Sequence, residues 1–170
     1  MIDNIPLQNL SAFEQLQLAV LLTKKALPIW EKFATSQNAS FRSTSNGLLI
    51  VIERSLLHST LEEVNNHSRL HYPVGDNSRI HQCYIKFVDP VIAMQDGFWV
   101  CSYPVKKIFL AVYFILKSIL EQGNTTHNES HLITAISYAI DAIEMSKLYS
   151  EEDLVLFIAE YKNLLNRTTF

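Results

Sequence analysis

PVKKIFLAVYFILKSILEQG, residues 104–123, contains from Ile108 to Leu116 no charged or strongly polar side chain. Such a run suits a buried strand or a helix apolar on all faces, and periodicity alone does not separate the two. The flanks favour helix. Pro104 fits a first helical turn, where its missing N–H is not needed, and Gly123 fits the left-handed position just past a helix end. Lys107 and Lys117 bracket an apolar core far shorter than the ~20 residues that cross a bilayer. The stretch predicts a buried central helix, about residues 104–122, in an all-α protein.

The rest of the composition agrees with that class. A chain of 170 residues with 48% hydrophobic content is one domain with a real core, so residues 1–170 are read as a single helical domain. Only four glycines and five prolines leave few tight turns for a many-stranded sandwich. A net charge of −3 does not suit a general nucleic-acid binder. From Ile108 to Phe170 eight acidic residues face four basic ones, so the acidity sits in the C-terminal third. The opening MIDNIPLQNL has no apolar signal region, which predicts a cytoplasmic protein whose Cys83 and Cys101 are buried, reduced thiols.

Along the chain, Ser11-Ala12-Phe13-Glu14 is a capping box opening a first helix, and Pro28 predicts a kink or restart before Trp30 and Phe33. Residues 35–46 read as a loop. A third helix is expected from Ser43–Asn46 onward, carrying Leu48 to Ile52 and then Leu56, Leu57, Leu61 and Val64. Residues 65–79, NNHSRLHYPVGDNSR, read as a long irregular stretch. Ile80 to Val88 suits either helix or strand, and Asp89-Pro90 looks like the start of a short helix that Asp96-Gly97 ends. After a polar connector, 124–128, Ile136, Ile140 and Ile143 mark a helix ending near Tyr149. Ser150-Glu151-Glu152-Asp153 opens the last one. The sum is a bundle of six to eight helices.

The residues that could carry chemistry do not assemble by spacing. None of the six histidines lies in a zinc pattern, and a helix beginning at Asn128 leaves His127 outside the turn that holds His131. Glu62-Glu63 and Glu151-Glu152 are read as first-turn carboxylates that offset a helix dipole. No nucleophile elbow or phosphate loop is present. The expectation is a protein with no catalytic residues, no metal and no cofactor. Trp30, Phe98 and Trp99 are read as core. Tyr72, beside Pro73, and Tyr138, about opposite Ile140 by the ~100° helical step, are the aromatic side chains expected at the surface.

The opening LSAFEQLQLAVLLTKKALPIWEKFA is similar to the start of the YjaG-type bacterial helical proteins, a likeness carried by Phe13, Gln15, Pro28, Trp30 and Phe33. In its helix pattern, chiefly the central apolar helix, 128–149 and 151–167, the whole chain resembles the small helical immunity proteins of bacterial contact-dependent growth inhibition. That resemblance implies a cytoplasmic antitoxin that binds a cognate toxin domain, often a nuclease, and covers its active site without touching nucleic acid or membrane itself. No toxin-binding residue transfers by motif.

The binding residues are therefore read from charge. A nuclease cleft is positive where it holds phosphate, and a blocker gains from offering carboxylates there. Asp141 and Glu144, three apart on one helix, with Glu151, Glu152 and Asp153 at the next helix start and Tyr138 as an aromatic anchor, make that set. The loop residues Tyr72 and Asp76 come next. The alternatives are a helical small-ligand binder or enzyme with an interhelical pocket, or a regulatory module of the YjaG type.

Overall fold

A computed structural model describes residues 7–35, 39–43, 45–71, 77–121 and 125–168; at 70–71, 125–130, 162 and 164–168 it describes the backbone alone. After a short 3-10 turn at Leu7–Asn9, the described residues form six α-helices and one small hairpin: α1 (Ala12–Ala34), β1 (Ser40–Arg42), β2 (Leu49–Val51), α2 (Leu56–His71), α3 (Ser78–Gln95), α4 (Tyr103–Leu120), α5 (Thr125–Ser146) and α6 (Glu151–Thr168). The all-α bundle expected from the sequence is what forms.

The central helix is α4. Ser102 precedes it in extended conformation and Pro104 lies in its first turn. It packs most extensively against α5, and also against α3 and α1. Val105, Ile108, Phe109, Val112, Ile115, Leu116 and Ile119 are fully inaccessible. Leu110, Tyr113 and Phe114 are only partly covered, so the helix is buried on most of its circumference and not on all of it. Gly123 lies outside the described residues.

Phe109 is the hub of the core. Its ring meets Trp30 of α1 and Trp99 edge-on, each with centroids 5.1 Å apart, and Phe87 of α3 at 5.4 Å. Edge-to-face pairs of this kind add about 0.5–1.5 kcal/mol each beyond the area they bury. The indole N–H of Trp30 donates to the Arg54 carbonyl at 2.8 Å, which fixes the start of α2 to α1. Phe41 of β1 stacks on Trp99, so the same aromatic cluster anchors the hairpin.

Two prolines sit inside helices where the sequence predicts interruptions. α1 runs unbroken through Pro28, and α3 runs as one helix through Pro90, so Ile80 to Val88 is helical and Asp89-Pro90 opens nothing. An interior proline costs about 3 kcal/mol. Burial of Leu27 and Trp30 around the exposed Pro28, and of Phe87, Pro90 and Val91 in α3, outweighs that local penalty. The capping box of α1 forms as expected: the Ser11 N–H donates to Glu14 at 2.6 Å and the Glu14 N–H to the Ser11 hydroxyl at 3.3 Å.

The third helix predicted over Leu48 to Ile52 is instead the second strand of the hairpin. The chain turns between Ser43 and Leu48, with Gly47 at φ +69°, its N–H donating to the Ser43 carbonyl and the Leu48 N–H to the Asn46 side chain. Because every residue from Leu48 to Ile52 is apolar, the two-residue alternation was hidden. It emerges only in burial, with Ile50 and Ile52 turned inward and Leu49 and Val51 outward. Branched side chains at 50–52 suit the extended backbone.

Other boundaries move as well. α2 continues to His71 and α3 begins at Ser78, so much of the expected 65–79 loop is helix, and His67 is buried within α2. Glu62 and Glu63 lie in the second turn of α2 and are not dipole caps; Glu62 instead pairs with His58 at 3.3 Å and Glu63 with Arg79 at 3.8 Å. α5 begins at Thr125, which puts His127 and His131 one turn apart on the same helix. It ends at Ser146 because Lys147 takes a left-handed φ of 53°.

Candidate functional site

The charged and aromatic residues singled out on α5 divide into two groups with different environments. Tyr138 and Asp141 form the first group and face α4. The Lys107 ammonium donates to the Asp141 carboxylate at 2.8 Å, lies 4.4 Å from the Tyr138 ring centroid and 5.1 Å from that of Tyr103. Tyr138 also packs on Phe114, with centroids 5.8 Å apart. Tyr138 is therefore half-buried against α4, where the helical wheel had put it at the surface. The ~100° step fixes its direction from α5 but carries nothing about the neighbour found there.

Burial alone would lower the pKa of Lys107, yet the hydrogen bonds and charge of Asp141 and Tyr103 outweigh it and the net shift is upward. The lysine side chain is only 13% exposed and Asp141 38%. This arrangement neutralises Asp141 within the fold, so its carboxylate has little left to offer a partner.

The second group is exposed. Glu144 near the end of α5 and Glu151 and Glu152 in the first turn of α6 all face solvent, joined by the short segment 147–150. Asp153 is occupied locally: it accepts from the Ser150 N–H at 2.8 Å and from the Ser150 hydroxyl at 2.9 Å, while its own N–H donates back to Ser150. Those bonds hold its carboxyl below the ordinary value. Asp153 is a helix cap. Tyr72 and Asp76 lie outside the described residues.

Beside the free carboxylates the structure adds side chains the sequence reading missed. Met145, Leu148, Val155 and Leu156 are exposed large hydrophobics at the end of α5, in the segment 147–150 and in the first two turns of α6. Glu151 and Val155, and likewise Glu152 and Leu156, are one helical turn apart and share a face. The signal was in the sequence. Val155 and Leu156 fall outside the apolar stripe set by Leu154, Ile158 and Tyr161, all of which are buried. Exposed apolar side chains and exposed carboxylates thus occur together along this stretch, and contact surfaces between proteins combine the same two kinds of side chain.

Several other titratable side chains serve the fold. Glu121 accepts from His131 at 2.8 Å and pairs with Lys117 at 3.7 Å, and the His131 ring rests on Phe114. The hydroxyls of Tyr84 and Tyr113 bond each other at 3.1 Å beneath stacked rings, and burial leads the causes that push Tyr84 up to about 12. The Tyr161 hydroxyl donates to the Glu14 carbonyl and ties α6 to α1. Cys83 and Cys101 are free and half-buried. Burial raises both thiols, Cys101 to about 11. Phe98, expected in the core, is exposed, because Gly97 at φ +78° turns the chain so that Trp99 alone enters.

Among the described residues no group of three or more His, Cys, Asp or Glu side chains is arranged to hold a metal ion. Among them, too, no helix is long and apolar enough to cross a membrane. A groove of about 350 Å³ lies between β2 and α3, lined on its apolar side by Val51, Ile52, Leu56, Ile85 and Pro90. Set against known proteins, the chain matches no family model, no curated protein and no solved structure.

Proposed function

We propose that this protein acts by binding another protein, as an immunity protein that covers the active site of a cognate toxin domain, a nuclease by the charge it would need. The α5–α6 corner carries the reading: the carboxylates Glu144, Glu151 and Glu152 and the apolar Met145, Leu148, Val155 and Leu156 are all exposed along the end of α5, the segment 147–150 and the start of α6. The apolar side chains supply area to bury, and the carboxylates steer the corner toward a positive cleft. Asp141 and Asp153, both committed within the fold, drop out of the contact set, and so does Tyr138, which is packed against Lys107 and Phe114 of α4.

The test is co-expression with a toxin domain encoded beside this chain's gene. Cells carrying the wild type should survive. A Glu144→Lys, Glu151→Lys, Glu152→Lys variant with an unchanged circular dichroism spectrum should fail to protect, and its association should be slower at low salt than the wild type's, the difference closing as salt rises. Protection by that folded triple variant equal to wild type would remove the corner from the interface. Absence of protection by the wild type would remove the immunity reading itself.

A further inference from the structure

The hairpin leaves the outer backbone edge of β2 open among the described residues. The Ser43 N–H donates to the Leu48 carbonyl at 2.9 Å and the Ile52 N–H to the Ala39 carbonyl at 2.8 Å, while Phe41 lies opposite Ile50. Positions 48, 50 and 52 are thus the ones that bond β1. By the alternation of an antiparallel ladder, the N–H and C=O of Leu49 and Val51 point away from β1. No hydrogen bond from a described residue reaches them. Their side chains are 60% and 67% exposed. Open edges are ordinarily blunted by lysine, proline or a bulge. This edge carries leucine and valine.

The groove between β2 and α3 runs beside Val51. Its α3 wall includes Pro90, which has no N–H to give the Lys86 carbonyl one turn earlier, so that acceptor stands outside the helical ladder. Three charged side chains also line the groove: Glu53, Asp89 and Lys86. None is in an ion pair among the described residues, so the groove carries a net negative charge.

We propose that this groove binds an extended segment of a partner protein, added as a third strand on the free edge of β2. The segment is apolar at alternate positions and carries a lysine or arginine beside Glu53 and Asp89. Unpaired N–H and C=O groups two residues apart are what a strand satisfies. A helix, with its backbone groups bonded internally, has no use for them. Two carboxylates against one ammonium select a basic segment over an acidic one. None of these residues belongs to α5 or α6, so variants here and at the acidic corner test the two surfaces separately.

A display library of random seven-residue peptides, panned on the wild type and counter-panned on Val51→Pro, tests the proposal. Proline at 51 removes an outward N–H and spares the bonds to β1. The expected winners alternate apolar residues with a basic residue at one end. Synthetic copies should slow hydrogen exchange at the Leu49 and Val51 amides and bind Val51→Pro roughly tenfold more weakly. They should also lose affinity for Glu53→Lys with Asp89→Lys. Should Val51→Pro unfold, N-methylation of the peptide replaces it: one alternate set of amides must abolish binding and the other must not. Peptides that leave both amides exchanging freely, or that tolerate methylation at every position, would overturn the proposal. So would a concentration-dependent dimer of the chain alone that protects the same two amides, because the edge would then belong to a second copy.

Discussion

The Lys107 ammonium and the Asp141 carboxylate, 2.8 Å apart, tie the central helix α4 to α5 at a point flanked by the rings of Tyr103 and Tyr138. Asp141 is thereby a structural residue. Asp141→Ala should destabilise the protein by about 1–3 kcal/mol, the cost of leaving a charged donor without its partner. Denaturant unfolding at neutral pH checks it. The pH dependence follows from the raised pKa of Lys107. Its contribution is complete below the ordinary lysine value of 10.5 and is lost as pH rises through the higher folded value. Asp141→Ala should lack that alkaline loss.

Two phenylalanines on α4 should respond differently to truncation. Phe109 is fully buried between Trp30, Trp99 and Phe87, and Phe109→Ala should cost about 3–5 kcal/mol. Phe114 is partly covered, by Tyr113, His131 and Tyr138, so Phe114→Ala should cost no more than about half of that. Chemical denaturation of the two variants gives the comparison. An equal loss would place the core centre one turn further along α4.

Acid should loosen α6 from its start. The Ser150 bonds depress the pKa of Asp153, so the cap's stabilisation is present above the ordinary value of 3.8 and is lost as pH falls through the lower folded value. Amide exchange at 151–154 should accelerate in that window in the wild type. In Asp153→Asn it should be faster at neutral pH already and change less on acidification.

Cys101 should be a poor nucleophile. With its thiol pushed up to about 11, chiefly by burial, its thiolate fraction at pH 8 is on the order of a hundredfold below that of a free cysteine. Alkylation by iodoacetamide in the folded protein should be roughly tenfold slower or more, because the higher-pKa thiolate regains part of the loss through its greater nucleophilicity, and it should recover on unfolding. Mass spectrometry of the labelled peptides measures both sites, with Cys83 also slowed.

How much was legible in the sequence depends on the range of the interactions involved. The Ser11–Glu14 box, the apolar run of α4 and the acidic start of α6 were readable, because each is set by residues close together in the chain. The hairpin was missed for a local reason: five consecutive apolar residues carry no alternation to count. The prolines misled for a distant one. Pro28 and Pro90 obey local rules that burial of the surrounding helix faces overrides.

The candidate surface divides in the same way. That carboxylates gather in the C-terminal third was fixed by the chain itself, as was the all-α class, through apolar spacing and scarce glycine. Which of those carboxylates are free was decided only in three dimensions. Asp141 meets a lysine 34 positions away and Asp153 bonds its own cap, while among the described residues Glu144, Glu151 and Glu152 are in no ion pair. The open edge of β2 is likewise a tertiary result, since a strand's unbonded side exists only once its other side has found a partner. Charge and period are properties of the sequence; availability is a property of the packing.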